Sequence, residues 1–206
     1  MARQAERRER ARRRLLDAAI EVFKERGYSE SNLEEVAHRA GVSRALIYHH
    51  FGSKESLLLE LHEELDRALL ERVRTAVAAR GAPVENLVRG ANAFLQASAE
   101  LPAARLMLLE TPAVPGLREH IEEGQREWSA LIAGEISRAI HQGSVAPIDP
   151  DMTARVLLGA LQEAALAVIS ADDPVRASRR AEESVTRLIE GLRASRSATS
   201  DSDSRP

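Results

Sequence analysis

The sequence predicts an all-α protein of about nine helices, with a three-helix helix-turn-helix head and a larger helical body. Three observations carry this reading. Ala, Leu, Arg and Glu dominate, aromatic residues make up 3% and β-branched runs are absent, which favours helix throughout. Apolar residues recur at helical spacing along most of the chain. Residues 31–54, SNLEEVAHRAGVSRALIYHHFGSK, have the layout of two short helices joined by a tight turn.

The first helix begins within the Arg-rich start and runs to about Arg26. Leu15, Leu16, Ala19, Ile20 and Phe23 form its buried stripe, and Gly27 ends it. Ser31 or Asn32 caps the second helix, and Glu34 and Glu35 in its first turn suit the helix dipole. Small Ala37 lets two helices approach, and Gly41 takes the positive φ that a sharp turn needs. Ser43 caps the third helix, about Arg44 to His50, with Ile47 and Phe51 as its inner side. The second helix of such a pair is the one that enters the DNA major groove.

Gly52 breaks the third helix. The fourth runs from about Lys54 to Ala79 on Leu57, Leu58, Leu61, Leu65, Leu69 and Val73, and would extend nearly 40 Å before Gly81 and Pro83. Val84, Leu87, Val88, Ala91, Phe94 and Leu95 mark the next helix, ending near Pro102. Residues 103–110 form a short apolar helix, and Leu117 to Gly143 a long one. After the loop SVAPIDP, residues 151–170 form a helix apolar on almost every side, and 175–194 the last. The tail 195–206 has nothing to bury and is expected to be disordered.

Charge is unevenly placed. The formal net charge is −3, yet Arg3, Arg7, Arg8, Arg10, Arg12, Arg13 and Arg14 crowd the beginning. That pattern points to one phosphate-binding end on an acidic body. With no cysteine there is no disulfide framework and no thiolate metal site, which fits a reducing cytoplasm. The basic start lacks the apolar stretch of a secretory signal, and no apolar run is expected to span a bilayer. The expected location is the cytoplasm, at the nucleoid.

No Cys nucleophile, Gly-rich phosphate loop or Ser-His-Asp order suggests an enzyme, so none is expected; a helical hydrolase or transferase is one alternative and a non-specific DNA-architectural protein another. Adjacent His49 and His50 point about 100° apart on a helix and chelate one ion poorly. His62 with Asp66 and His120 with Glu123 are better spaced but lack a third ligand. No metal and no cofactor is expected.

One face of the apolar helix 151–170 can fill its own core. The other, drawn from Val156, Ala160, Ala164, Ala167 and Val168, needs a partner. With Val185, Leu188 and Leu192 from the last helix it predicts a four-helix interface with a second copy; complete burial within one chain is the other reading. Helices four to eight must also enclose something. Leu61, His62, Leu65, Phe94, Met107, Glu110, Trp128 and Gln162 are the candidate lining for a small apolar or amphiphilic effector, against the alternative of a filled core.

The segments LLDAAIEVFKERGY and LEEVAHRAGVSRALIYHHFGSKESLL, within residues 10–60, resemble the TetR-type (tetracycline-repressor-like) transcriptional regulators. Beyond them the likeness lies in helical layout alone. The resemblance implies a homodimeric repressor whose C-terminal domain holds a small-molecule pocket, with ligand binding moving the two heads apart and releasing the operator. It divides the chain into a DNA-binding head, 1–54, with a basic arm at 1–10, an effector and dimerisation body, 55–194, and the tail. Arg44 can make a bidentate contact to a guanine edge, or meet a phosphate or an acidic neighbour instead. Ala45 and Leu46 could pack on sugar or a thymine methyl. Tyr48 resembles the family's phosphate-contacting tyrosine. His49 is a candidate base or backbone contact, and His50 a phosphate contact. Lys54 stands at a helix start favourable to phosphate, and Asn32 and Ser43 complete the candidate surface. A near-palindromic operator with half-sites about one helical turn or more apart follows from a dimeric reader.

Overall fold

The computed structural model describes residues 2–77, 81–100, 108 and 114–194. Among the described residues it contains eight α-helices and a single 3-10 turn. They are α1 (Ala2–Glu30), α2 (Leu33–Ala40), α3 (Arg44–Phe51), α4 (Lys54–Ala76), α5 (Pro83–Glu100), α6 (Arg118–His141), α7 (Pro150–Ile169) and α8 (Pro174–Glu190). The 3-10 turn, Pro115–Leu117, leads into α6. The expected helix at 103–110 and the tail at 195–206 lie outside the described residues, Leu108 apart.

The basic start is helical from Ala2, so residues 2–10 continue α1. Ala, Arg and Glu are strong helix formers, which accounts for the extension. Gly27, at φ 77° and ψ 161°, takes the chain off the helical path where the sequence predicts the stop. Leu15, Leu16, Ala19, Val22 and Phe23 then pack against Leu33, Val36, Ala37, Ala40 and Ile47 in one cluster.

Local chemistry sets the head's geometry. The Asn32 side-chain oxygen Oδ1 accepts from the Glu35 amide at 2.9 Å and starts α2. Gly41 ends it at φ 63°, ψ 39°, with the Gly41 amide donating to His38 and the Val42 amide to Ala37. That left-handed residue with paired backward hydrogen bonds is the chain-reversing helix stop that glycine suits. The Ser43 hydroxyl accepts from the Leu46 amide at 3.3 Å, and Ile47 (0% exposed) and Phe51 (7%) lock one side of α3 inward.

Helix α4 carries Leu57, Leu58 and Leu61, each at most 2% exposed, from the head into the body. Burying each such side chain is worth about 1.5–3 kcal/mol by transfer. Helix α5 is central: it packs on α4, α6, α7 and α8 through Val84, Leu87, Ala91, Phe94 and Leu95. Trp128 of α6 donates its indole N–H to Asp66 of α4 at 2.7 Å and meets Phe94 edge-to-face at 5.6 Å, so one side chain ties three helices.

Helix α7 corrects one expectation. Over an 18-residue stretch of this 20-residue helix the mean hydropathy reaches 1.5, enough by length and composition to cross a membrane. In the bundle it buries one stripe and leaves the opposite face exposed. Ala154, Leu157, Leu158, Leu161, Ala165 and Val168 are buried, and it packs on α5, α6 and α8.

Lys54 staples the head. Its ammonium donates to the carbonyls of Tyr28 at 2.7 Å, Ser31 at 2.9 Å and Ser29 at 3.3 Å, and lies 4.3 Å from the centre of the Tyr28 ring. Burial and the facing Glu55 carboxylate push the Tyr28 phenol up to about 12. Replacing Lys54 with Ala leaves the link's carbonyls without their shared donor. Urea unfolding should register a loss of about 1–3 kcal/mol, the usual scale for hydrogen bonds to a charged group.

Candidate functional site

The outer side of α3 presents Arg44, Ala45, Tyr48 and His49 to solvent, with Leu46 and His50 half-buried. A rigid inner side and a free outer side are what a groove-reading helix requires. Asn32 and Ser43, expected at this surface, both serve as caps, so their acceptor oxygens are already used within the chain. The Nε2 atom of His50 is buried, which turns that edge of the ring away from the outer surface.

Two outward residues converge on Glu34 in the first turn of α2. The Tyr48 hydroxyl donates to its Oε1 at 2.9 Å, and the Arg44 guanidinium reaches the same oxygen at 2.8 Å. Arg44 also lies over the Tyr48 ring at 5.5 Å. Glu34 is held below the usual carboxylate range, first by its own backbone amide, then by Tyr48 and Arg44. Of the three partners weighed for Arg44 from the sequence, the acidic neighbour is the one it meets here. Glu34 had been read only as a helix-dipole residue. Its hydroxyl and guanidinium partners lie in the next helix, a pairing that periodicity does not show.

The basic start divides into two groups. Arg12 pairs with Glu60 and Glu9, Arg13 with Glu64 at 3.4 Å, and Arg14 donates to the Ala40 carbonyl. Arg3, Arg7, Arg8 and Arg10 remain exposed along the first turns of α1. Lys54, expected to meet a phosphate, has its ammonium turned onto the carbonyls of the α1–α2 link.

In the body, His62, Phe94, Trp128 and Gln162 from the expected lining surround one cavity of about 270 Å³, together with Asp66, Leu108, Ile121, Gly124, Gln125, Leu158, Gly159, Glu163 and Leu166. Leu61 and Leu65, at 2% and 8% exposure, belong to the packed core instead. Met107 and Glu110 lie outside the described residues. A second, more apolar cavity of about 190 Å³ shares Phe94, Trp128 and Leu158 with the first and reaches α8 at Val185, Leu188 and Ile189. Missed by the sequence reading were Gly124 and Gly159, whose only signal was a glycine inside a helix, at a cost in helix propensity.

Burial is the main cause that lowers the His62 pKa, and His120 adds to it; Asp66 and Glu63 oppose the shift. Its Nδ1 atom is buried without a hydrogen-bond partner.

The expected outer face of α7 and α8 is narrower than the sequence implied. Val156 and Leu188 stand 63% and 59% exposed, with Met152 at 59% one turn before Val156 on α7 and Ala167 also outward. Val168 (1%) and Val185 (4%) are corrections: both point into the chain's own body. Ala164 and Leu192 pack partly against that core, and Ala160 is half-buried at the wall of the apolar cavity.

Comparison with known proteins gives a consistent set of similarities. A family model for bacterial regulatory proteins, tetR family, matches residues 15–61, and one for the tetracyclin repressor-like C-terminal domain matches residues 84–192. Over 76 residues the chain is 40% identical to the HTH-type transcriptional regulator BetI of Brucella suis, covering 37% of this chain and only 38% of that relative's length. It is 26% identical over 152 residues to the fatty acid metabolism regulator protein of Bacillus subtilis, 72% of this chain and 78% of that one. The crystal structure of a TetR-family transcriptional regulator from Pectobacterium atrosepticum aligns with a TM-score of 0.73 at 27% identity, covering 92% of this chain and 97% of that one.

His62 links stability to pH. Its folded pKa is lowered, so the unfolded chain takes up the proton more readily, and acid favours unfolding. The contribution is present above the unfolded value of about 6.5 and is lost as pH falls below it. Thermal midpoints of the wild type and His62→Gln, measured from pH 8 to about pH 5, should show a shallower acid decline in the variant.

Proposed function

The chain belongs to the tetracycline-repressor-like family of bacterial regulatory proteins, and from that premise we propose that it is a sequence-specific DNA-binding regulator, a dimeric repressor released from its operator by a small molecule. The observation that carries the reading is α3 itself. Ile47 and Phe51 clamp it to the head while Arg44, Ala45, Tyr48 and His49 stand exposed on the other side, Arg44 and Tyr48 held there by Glu34. A helix held this way can lie in a major groove without its backbone moving.

In this reading residues 1–54 form the reading head and 55–194 the effector and dimerisation body. Arg44 reads a base edge, Tyr48 meets a phosphate, and the exposed arginines of α1 add sequence-independent attraction. A second copy covers Met152, Val156, Ala167 and Leu188, placing two heads on a near-palindrome. The effector occupies the cavity beside Trp128, and the protein acts in the cytoplasm on the nucleoid.

Glu34 is the internal competitor of this surface. Arg44 and Tyr48 must leave it to reach DNA, and its charge repels the phosphates they approach. Binding titrations against selected and scrambled duplexes test these roles. Arg44→Ala should lose about 1–3 kcal/mol on the selected site and relax preference at one base pair. Glu34→Gln should instead tighten binding to both duplexes by roughly two- to fivefold, the scale of an exposed ion pair. Equal affinity of the wild type for every duplex would mark a non-specific DNA binder and sink the repressor reading. For the dimer, Val156→Asp combined with Leu188→Asp should halve the mass seen by light scattering; an unchanged mass places the interface elsewhere.

A further inference from the structure

We propose that the cavity between α4, α5, α6 and α7 binds a small organic cation, an amine or quaternary ammonium carrying an apolar body. The proposal rests on the effector-released reading and names the ligand chemistry of that site. About 270 Å³ is available there, well above the roughly 150 Å³ that admits a benzene-sized molecule.

Charge decides the class. The cavity holds the carboxylates of Asp66 and Glu163, and among its described lining residues there is no Lys or Arg. The indole N–H of Trp128 fixes Asp66 through Oδ1 at 2.7 Å. Oδ2 faces Gly124, where an added Cβ would already be in van der Waals contact with it at 3.8 Å, so a glycine at that position keeps side-chain bulk off the carboxylate. The Trp128 and Phe94 rings, 5.6 Å apart and inclined by 74°, form an aromatic corner on the same wall. An aromatic face beside a fixed carboxylate is the environment that a weakly hydrated cation prefers to water.

His62 adds to this. Its ring sits at the wall with Nδ1 buried and unpartnered, and burial favours the neutral imidazole, which brings no opposing charge. An anion would lose its hydration next to two carboxylates with no described cation to receive it. The apolar cavity behind Phe94, Trp128 and Leu158 offers space for an aliphatic or aromatic extension of the same ligand.

Calorimetric titration of the full chain with phenyltrimethylammonium, its uncharged near-isostere 2-phenyl-2-propanol and the anion phenylacetate tests the proposal. The cation should bind at least about tenfold tighter than the neutral compound, the combined scale of a desolvated cation–π contact and a fixed charge. Asp66→Asn keeps an acceptor for Trp128 and should remove most of that preference. Should Asp66→Asn fail to fold, Glu163→Gln at the exposed rim should lower the preference by a smaller factor. Equal or tighter binding of the neutral or anionic compound overturns the proposal, as does binding of none of the three. Adding operator duplex separates the two readings. A cation that binds with this preference but leaves DNA affinity unchanged upholds the site and sinks effector release. An anion that binds and frees the DNA does the reverse.

Discussion

The left-handed turn at Gly41 governs the geometry of the head. It reverses the chain between α2 and α3 while the Val42 and Gly41 amides satisfy the last carbonyls of α2. Only a residue without a side chain adopts that backbone at no steric cost, and here an added Cβ would also come within 2.9 Å of the Arg14 guanidinium. Because Ile47 is fully buried against α1 and α2, the angle set at Gly41 decides which residues of α3 are outward. The exposure of Arg44 and Tyr48 is therefore a consequence of a turn several residues away.

Around that turn the charged side chains are sorted by what they hold. Lys54, Arg12 and Arg14 bind the head to itself and to α4. Glu34 gathers Arg44 and Tyr48 on the surface, where solvent and salt weaken the pair. An internal carboxylate of this kind holds the two side chains in place and can be displaced by a stronger anion. The distinction between a staple and a displaceable partner lies in the number and burial of the acceptors. Three backbone carbonyls converge on Lys54, and one half-exposed carboxylate meets Arg44.

Helix α4 joins the head to the cavity. Lys54 lies at its first turn and Asp66 twelve residues on, about 18 Å along the axis at 1.5 Å per residue. The same continuous helix thus carries the staple of the α1–α2 link and the carboxylate that Trp128 grips. A shift of α6 relative to α4 at the cavity has a rigid element through which to reach the head. Helix α5, in contact with four others, supplies the fixed frame against which such a shift would occur.

Much of this architecture is legible in the sequence because it rests on neighbours a few residues apart. Helical stripes, the stops at Gly27 and Gly41, the cap at Ser43 and the inward side of Ile47 and Phe51 all follow from spacing and from the conformational needs of single residues. The helical layout of the body follows from the same stripes, which do not separate cavity-lining His62, Phe94, Trp128 and Gln162 from the packed Leu61 and Leu65. What the stripes leave open is decided by partners far off in the chain: the Lys54 ammonium turned to carbonyls 23 to 26 residues back, Arg44 and Tyr48 on Glu34, and Trp128 on an aspartate 62 residues earlier. The same holds for α7 and α8, apolar on more than one side, where only packing shows that Val168 and Val185 turn inward while Val156 and Leu188 stay out. Periodicity names the residues that share a face of one helix; which other element lies against that face, and which charges it brings, is settled only when the helices come together in three dimensions.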